Sequence, residues 1–175
     1  MKRKLCILFS FSLLFFAAAC STKVSYVPLD GGARVEPSSH FSVGQVTDNS
    51  GFKFPEGETE TVVLTQAMAE ALEKSLRATG NLGEGQWIIN VDITQYAPGN
   101  AFARWLLPGA GATVLGVVAN IVDQNGVAVA RVPIVRSIGF GGAYTVGAWK
   151  YVFTEVSEAI VDVLIHPEKR VTAKQ

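Results

Sequence analysis

The chain has 175 residues, 49% of them hydrophobic, with 15 basic and 15 acidic residues and two cysteines. That is material for about one domain with a single apolar core. Lys2, Arg3 and Lys4 are three of the basic residues, so 12 remain against 15 acidic over the rest, a net charge of −3. With no basic cluster to neutralise phosphates, nucleic acid is excluded as an expected partner, and so is electrostatic attachment to anionic lipid.

The first segment reads as a secretory signal. A basic start precedes an apolar run from Leu5 to Phe16, and Ala17-Ala18-Ala19 precede Cys20. The run of about 12 apolar residues falls short of the roughly 20 that cross a bilayer. Small residues directly before a cysteine resemble the lipobox of bacterial lipoproteins, in which Cys20 would be lipidated and become the first mature residue. Ser21, rather than Asp, resembles the sorting signal for the outer membrane of Gram-negative bacteria. Three acyl chains suffice for anchoring, at about 0.8 kcal/mol per buried methylene. Cys6 would leave with residues 1–19, so the folded part would hold neither a free thiol nor a disulfide.

Residues 20–37 are polar and rich in Gly, Pro and Ser, and are expected to form a lipidated N-terminus and flexible tether. Within them, Tyr26-Val27-Pro28-Leu29 is the part able to lie against the domain. A first strand is predicted near His40 to Val46, where Phe41 and Val43 alternate with Ser42 and Gly44. Residues 47–60 read as a loop. Thr59 or Thr61 is expected to cap a helix with Leu64, Met68, Ala71, Leu72 and Leu76 on one face. Glu70 with Lys74 and Glu73 with Arg77 form favourable i,i+4 pairs on the other face. Gly80 is expected to end the helix with a positive φ.

Trp87, Ile89, Val91 and Ile93 alternate with more polar residues, the pattern of a half-buried strand closed by Pro98-Gly99-Asn100. The 18 uncharged residues from Trp105 to Val122 are long enough for a membrane-spanning helix. Against that stand Pro108, the glycines and the many β-branched residues. Asp123-Gln124-Asn125-Gly126 is also a hairpin signature. The segment is therefore read as antiparallel strands, about 112–123 and 127–136, with Pro133 marking an edge strand or a bulge. A glycine-rich loop from Gly139 to Gly147 leads to a last helix. That helix presents Trp149, Val152, Phe153, Val156, Ala159, Ile160, Val163 and Leu164, and Pro167 stops it. Residues 168–175 form a polar tail.

Three stretches carry a family resemblance: Gly99-Asn100-Ala101-Phe102-Ala103-Arg104, Gly109-Ala110-Gly111-Ala112, and the strands around Asp123-Gln124-Asn125-Gly126. With the glycine-rich turn before the closing helix, the chain resembles a family of bacterial lipoproteins known as domain of unknown function 4410, over most of residues 38–165. Pro108 departs from the pattern. The resemblance implies an exported α+β domain on a lipid anchor and implies no reaction.

No constellation in the sequence points to catalysis or a cofactor. Gly109-Ala110-Gly111 lacks the third glycine, lysine and following helix of a phosphate loop, so no nucleotide is expected. His40 and His166 are the only imidazoles, and no serine lies in a Gly-x-Ser-x-Gly turn. Two distant histidines without a free cysteine make no metal set, and Glu56-Gly57-Glu58-Thr59-Glu60 is not a calcium loop. Arg104 stands between Phe102 and Trp105 at the start of the apolar stretch. It is expected either to pair with Asp92 or Asp123, or to reach water; with Trp105 it is also the candidate interaction surface, since Arg and Trp are enriched where partners dock.

The expectation is an α+β domain over residues 38–167: a small, mostly antiparallel sheet of about four strands in β-α-β-β-β-α order, two helices packed on one face. It would be held by the Cys20 lipid on the periplasmic side of the outer membrane and would be non-catalytic and without cofactor. It would serve as an interaction or envelope-assembly module with an envelope protein as possible partner. The alternative is an oligomeric secretion or pore component.

Overall fold

Alternating branched residues build the centre of the molecule. The computed structural model describes residues 20–29, 35–56, 61–106, 110–139 and 147–166. Along them run β1 (Cys20–Val24), β2 (Val27–Pro28), β3 (Phe41–Asp48), α1 (Leu64–Ala78), β4 (Trp87–Ala97), α2 (Ala101–Leu106), β5 (Thr113–Asp123), β6 (Ala128–Ile138) and α3 (Ala148–Ile165). The strands form one mixed sheet in the order β1-β6-β5-β4-β3, with β2 also paired to β6. β3 and β4 are parallel and the other pairs antiparallel.

The α+β class holds, and from β3 onward the elements follow the expected β-α-β-β-β-α order with α2 inserted between β4 and β5, but the sheet has six strands and is mixed, rather than four and mostly antiparallel. The two added strands come from the polar stretch read as a tether. Cys20 to Val24 pair with Ile138 to Ile134, and Val27–Pro28 with Arg131 and Ala130. Their stability comes from the backbone groups of β6 rather than from an apolar pattern of their own. The parallel pair arises because α1 carries the chain back along the sheet, so that β4 starts beside the start of β3.

Trp87, Ile89, Val91 and Ile93 of β4, Leu115, Val117, Ala119 and Ile121 of β5, and Val132 and Ile134 of β6 are buried under α1 and α3. Helix α1 buries Leu64, Met68, Leu72 and Leu76, and α3 buries Val152, Phe153, Val156, Ile160 and Leu164. Both helices begin where β3 and β6 end, so they lie side by side and run the same way.

Helix α1 starts later than the threonines suggest. Val63 is its N-cap, with no side-chain cap hydrogen bond, and Thr59 lies outside the described residues. Its other end follows the glycine. Gly80 has φ 76°, its N–H donates to the Arg77 carbonyl, and the Asn81 N–H donates to the Leu76 carbonyl. These are the two hydrogen bonds of a Schellman motif.

The hairpin between β5 and β6 forms as expected, with the strands at Thr113–Asp123 and Ala128–Ile138. Only Gly126 takes a positive φ, 80°. The Asp123 carboxylate accepts from the Asn125 and Val127 N–H groups and holds the turn. Pro133 sits at the break between β1 and β2. Its carbonyl accepts from the Ser25 N–H at 3.3 Å, so the donor that proline lacks points to the gap where no strand needs it. Thr113 to Val122 is thus strand rather than helix, and among the described residues no helix is long and apolar enough to cross a bilayer.

Pro108, Gly109, Phe140 to Val146, Pro167 and the polar tail lie outside the described residues.

Candidate functional site

The sheet gives the molecule two distinct ends. At one end Cys20 stands opposite Ile138, Ile138 opposite Thr113, and Val114 opposite Ala97. Helix α2, the loop after β3 and the first turns of α1 and α3 lie at this same end. The Asp123–Gly126 turn and the last turns of α1 and α3 lie at the other.

At the first end a register shift between Ile93 and Gln95 breaks the alternation of β4 and turns Tyr96 inward. Tyr96 stacks on Phe153, with ring centroids 5.7 Å apart, and meets Phe52 edge-on at 5.1 Å. Phe52 and Phe54 meet edge-on at 5.0 Å, and Phe54 reaches Trp149. The Tyr96 hydroxyl donates to the Trp149 carbonyl at 3.0 Å. Burial pushes the Tyr96 phenol up to about 12. This cluster closes the space between sheet and helices, and sequence reading missed it because its rings come from three separate segments.

Beside it, α2 is mounted on a fixed base. The Asn100 side chain accepts from the Ala103 N–H at 3.0 Å, an N-cap, and the Asn100 N–H donates to the Gly111 carbonyl at 2.8 Å. Gly99 and Gly111 have φ 70° and 62°. A side chain at Gly111 would meet the Asn100 carbonyl oxygen at 2.7 Å and Ala103 Cβ at 2.8 Å. The glycines around Asn100 and Gly111 therefore close the excursion between β4 and β5, and a strand, not a helix, follows Gly111.

Arg104 and Trp105 ride on α2, and their side chains, like that of Cys20, lie outside the described residues. Asp123 stands opposite Trp87, ten strand residues from Ala97, or about 30 Å away. The Asp92 carboxylate accepts from Thr47 and Asn49 on the β3 side of the sheet.

At the other end a cleft of about 520 Å³ runs between α1 and α3, lined by Lys74, Thr79, Thr154, Glu158, Asp162 and His166 among others. His166 Nε2 lies 3.6 Å from Asp162 Oδ1, both side chains 44% exposed. The lining of the cleft is mostly apolar, with Lys74 and Glu158 exposed on it. Its residues were legible only as solvated helix positions, since no single helix shows that a second lies beside it. His40 is exposed ahead of β3. Among the described residues no group of three or more His, Cys, Asp or Glu side chains is placed to hold a metal ion.

The sequence profile described as "Domain of unknown function (DUF4410)" matches residues 53–142, which span α1, β4, α2, β5, β6 and the glycines that close α2. The chain belongs to this family. No curated protein matches it. Among solved structures it is similar to a PelC dodecamer from Paraburkholderia phytofirmans, with TM-score 0.54 and 14% identity, covering 89% of this chain and 100% of that one. A variant of that dodecamer gives 0.53 and 15%, covering 82% and 97%. A Xanthomonas campestris protein of the family DUF330 gives 0.52 and 13%, covering 86% and 96%. At these identities the likeness is one of fold alone.

Proposed function

We propose that the chain is a non-catalytic lipoprotein of the bacterial envelope, cleaved before Cys20, lipidated on that residue and held on the periplasmic side of the outer membrane. What carries the reading is the signal layout ending in Cys20, joined to a strand that begins at that residue. The domain would then stand on the lipid by its Cys20 end and turn the α1–α3 cleft to the periplasm. We assign that cleft to an envelope protein partner. Photo-crosslinking residues placed at Lys74 and Glu158 would give one shared adduct, and the same residue at Gln124 in the turn would not. Equal labelling at all three positions would sink the assignment.

A second reading is an oligomeric envelope component, favoured by the fold likeness to PelC, which is described as a dodecamer. The sheet face away from the helices supports it, with Ile88, Val118, Val122 and Pro133 half-buried and Val135 exposed. The barrel form of that reading has less support. β5 is paired along both edges, so its entry into a membrane barrel would dismantle the sheet. Native mass spectrometry of the delipidated protein decides: a ring supports assembly, and a monomer excludes it.

A further inference from the structure

We propose that α2 is a second, non-covalent membrane contact, with Phe102 and Leu106 resting in the interface of the bilayer to which Cys20 is joined. The inference rests on the lipidation reading above and adds to it an orientation and a surface.

Cys20 belongs to the sheet itself. A flexible segment over residues 21–37 would give a root-mean-square slack of about 20–25 Å. Instead β1 begins at Cys20, and its backbone is in register with Ile138 from that residue on. An acyl chain on Cys20 would hold the end of the sheet directly against lipid headgroups.

Exposed apolar side chains share that end. Thr113 pairs with Ile138, so the start of β5 stands two strands from Cys20, about 10 Å across the sheet. The α2 excursion closes at Gly111, two residues before it. Phe102 and Leu106 are four apart on α2, hence on one face, and are 69% and 59% exposed. Val63, 63% exposed, is the N-cap of α1 at the same end. Of the five large apolar side chains that are exposed among the described residues, these three lie here.

Lys53 and Lys150 are exposed at this end, and so are Asp48 and Glu56. Among these described side chains the charges offset one another, so the contact proposed here is carried by the apolar pair Phe102 and Leu106. A helix fixed by its Asn100 cap and the Asn100–Gly111 hydrogen bond loses little conformational freedom on entering the interface. Interfacial helices sit about 5–10 Å deep by an apolar face, the depth that one turn bearing Phe and Leu supplies.

The test uses the full precursor carrying Leu106→Cys or Val127→Cys, processed in cells and reconstituted in vesicles of phosphatidylethanolamine and phosphatidylglycerol. Cys6 leaves with the signal and Cys20 is a thioether, so the introduced thiol alone takes an environment-sensitive fluorophore. The label at 106 should lose about half its emission to lipids brominated on the acyl chain about 5–10 Å deep. The label at 127, in the opposite turn, should keep its emission. Phe102→Cys repeats the measurement should Leu106→Cys fold poorly. Equal quenching of the two ends, on protein whose N-terminal mass includes the lipid, overturns the inference and leaves the anchor standing. An N-terminus without lipid overturns the anchor and the inference together.

Discussion

The Tyr96 hydroxyl donates to the Trp149 carbonyl at 3.0 Å, joining the end of β4 to the first turn of α3. The bond exists because the register shift after Ile93 turns Tyr96 inward, under Phe52 and against Phe153. One buried phenol thus fixes where the last helix begins.

Tyr96→Phe keeps the ring and removes the bond, so it should cost about 1 kcal/mol in urea unfolding. The phenol is pushed up to about 12 from an ordinary value of 10.0. A folded-state value above the unfolded one gives stability that is complete below pH 10 and lost as pH rises to 12. The difference between wild type and Tyr96→Phe should shrink across that window. A constant difference would contradict the burial of the hydroxyl.

Much of the centre was legible because burial imposes a period. The stripe Leu64, Met68, Leu72, Leu76 of α1, the alternation of β4 from Trp87 to Ile93, and the Asn125-Gly126 turn each follow from spacing and backbone preference. The edges were not. Ser21-Thr22-Lys23 carries no apolar pattern, since β1 depends on the backbone of β6 rather than on its own side chains. Helix α2 is six residues long, too short for periodicity to register, and is set by the Asn100 cap and the glycines beside it. The shift at Gln95 that turns Tyr96 inward has no local signal. The lipidation reading of Cys20 came from the sequence alone; its place at the end shared with α2 came from strand register.

Arg136 joins three elements. Its Nε lies 2.6 Å from Glu155 Oε2 on α3, and its Nη1 donates to Thr22 Oγ1 of β1 at 2.8 Å. Both charges are partly screened by solvent, so Arg136→Met should cost only about 1 kcal/mol globally. The loss should concentrate in β1. Hydrogen exchange at Thr22 to Val24 should accelerate about tenfold while β4 and β5 stay protected. Uniform acceleration would show that β1 is not held by this residue.

Gly111 and Gly126 have similar positive φ values, 62° and 80°, but different surroundings. A methyl at Gly126 meets nothing within 4 Å, whereas at Gly111 it meets the Asn100 carbonyl oxygen at 2.7 Å. Gly126→Ala should therefore cost about 1 kcal/mol and Gly111→Ala at least about 2 kcal/mol, by thermal or urea unfolding. Equal costs would mean that α2 is free to shift on its base.

Ser157 of α3 is fully buried, and its hydroxyl oxygen has no hydrogen-bond partner among the described residues. Ser157→Ala removes an unsatisfied polar atom and improves helix propensity, so it should raise stability by about 1 kcal/mol. A loss of stability would reveal a partner for the hydroxyl.

The proposed anchor is a fatty-acylated Cys20 that opens the first strand. Mass spectrometry of the mature N-terminal peptide from separated inner and outer membranes tests it most directly. The predicted result is a peptide beginning at Cys20, heavier by a diacylglyceryl group and an amide-linked acyl chain, and recovered with the outer membrane. A peptide that retains Met1, or one that begins elsewhere without lipid, would contradict it.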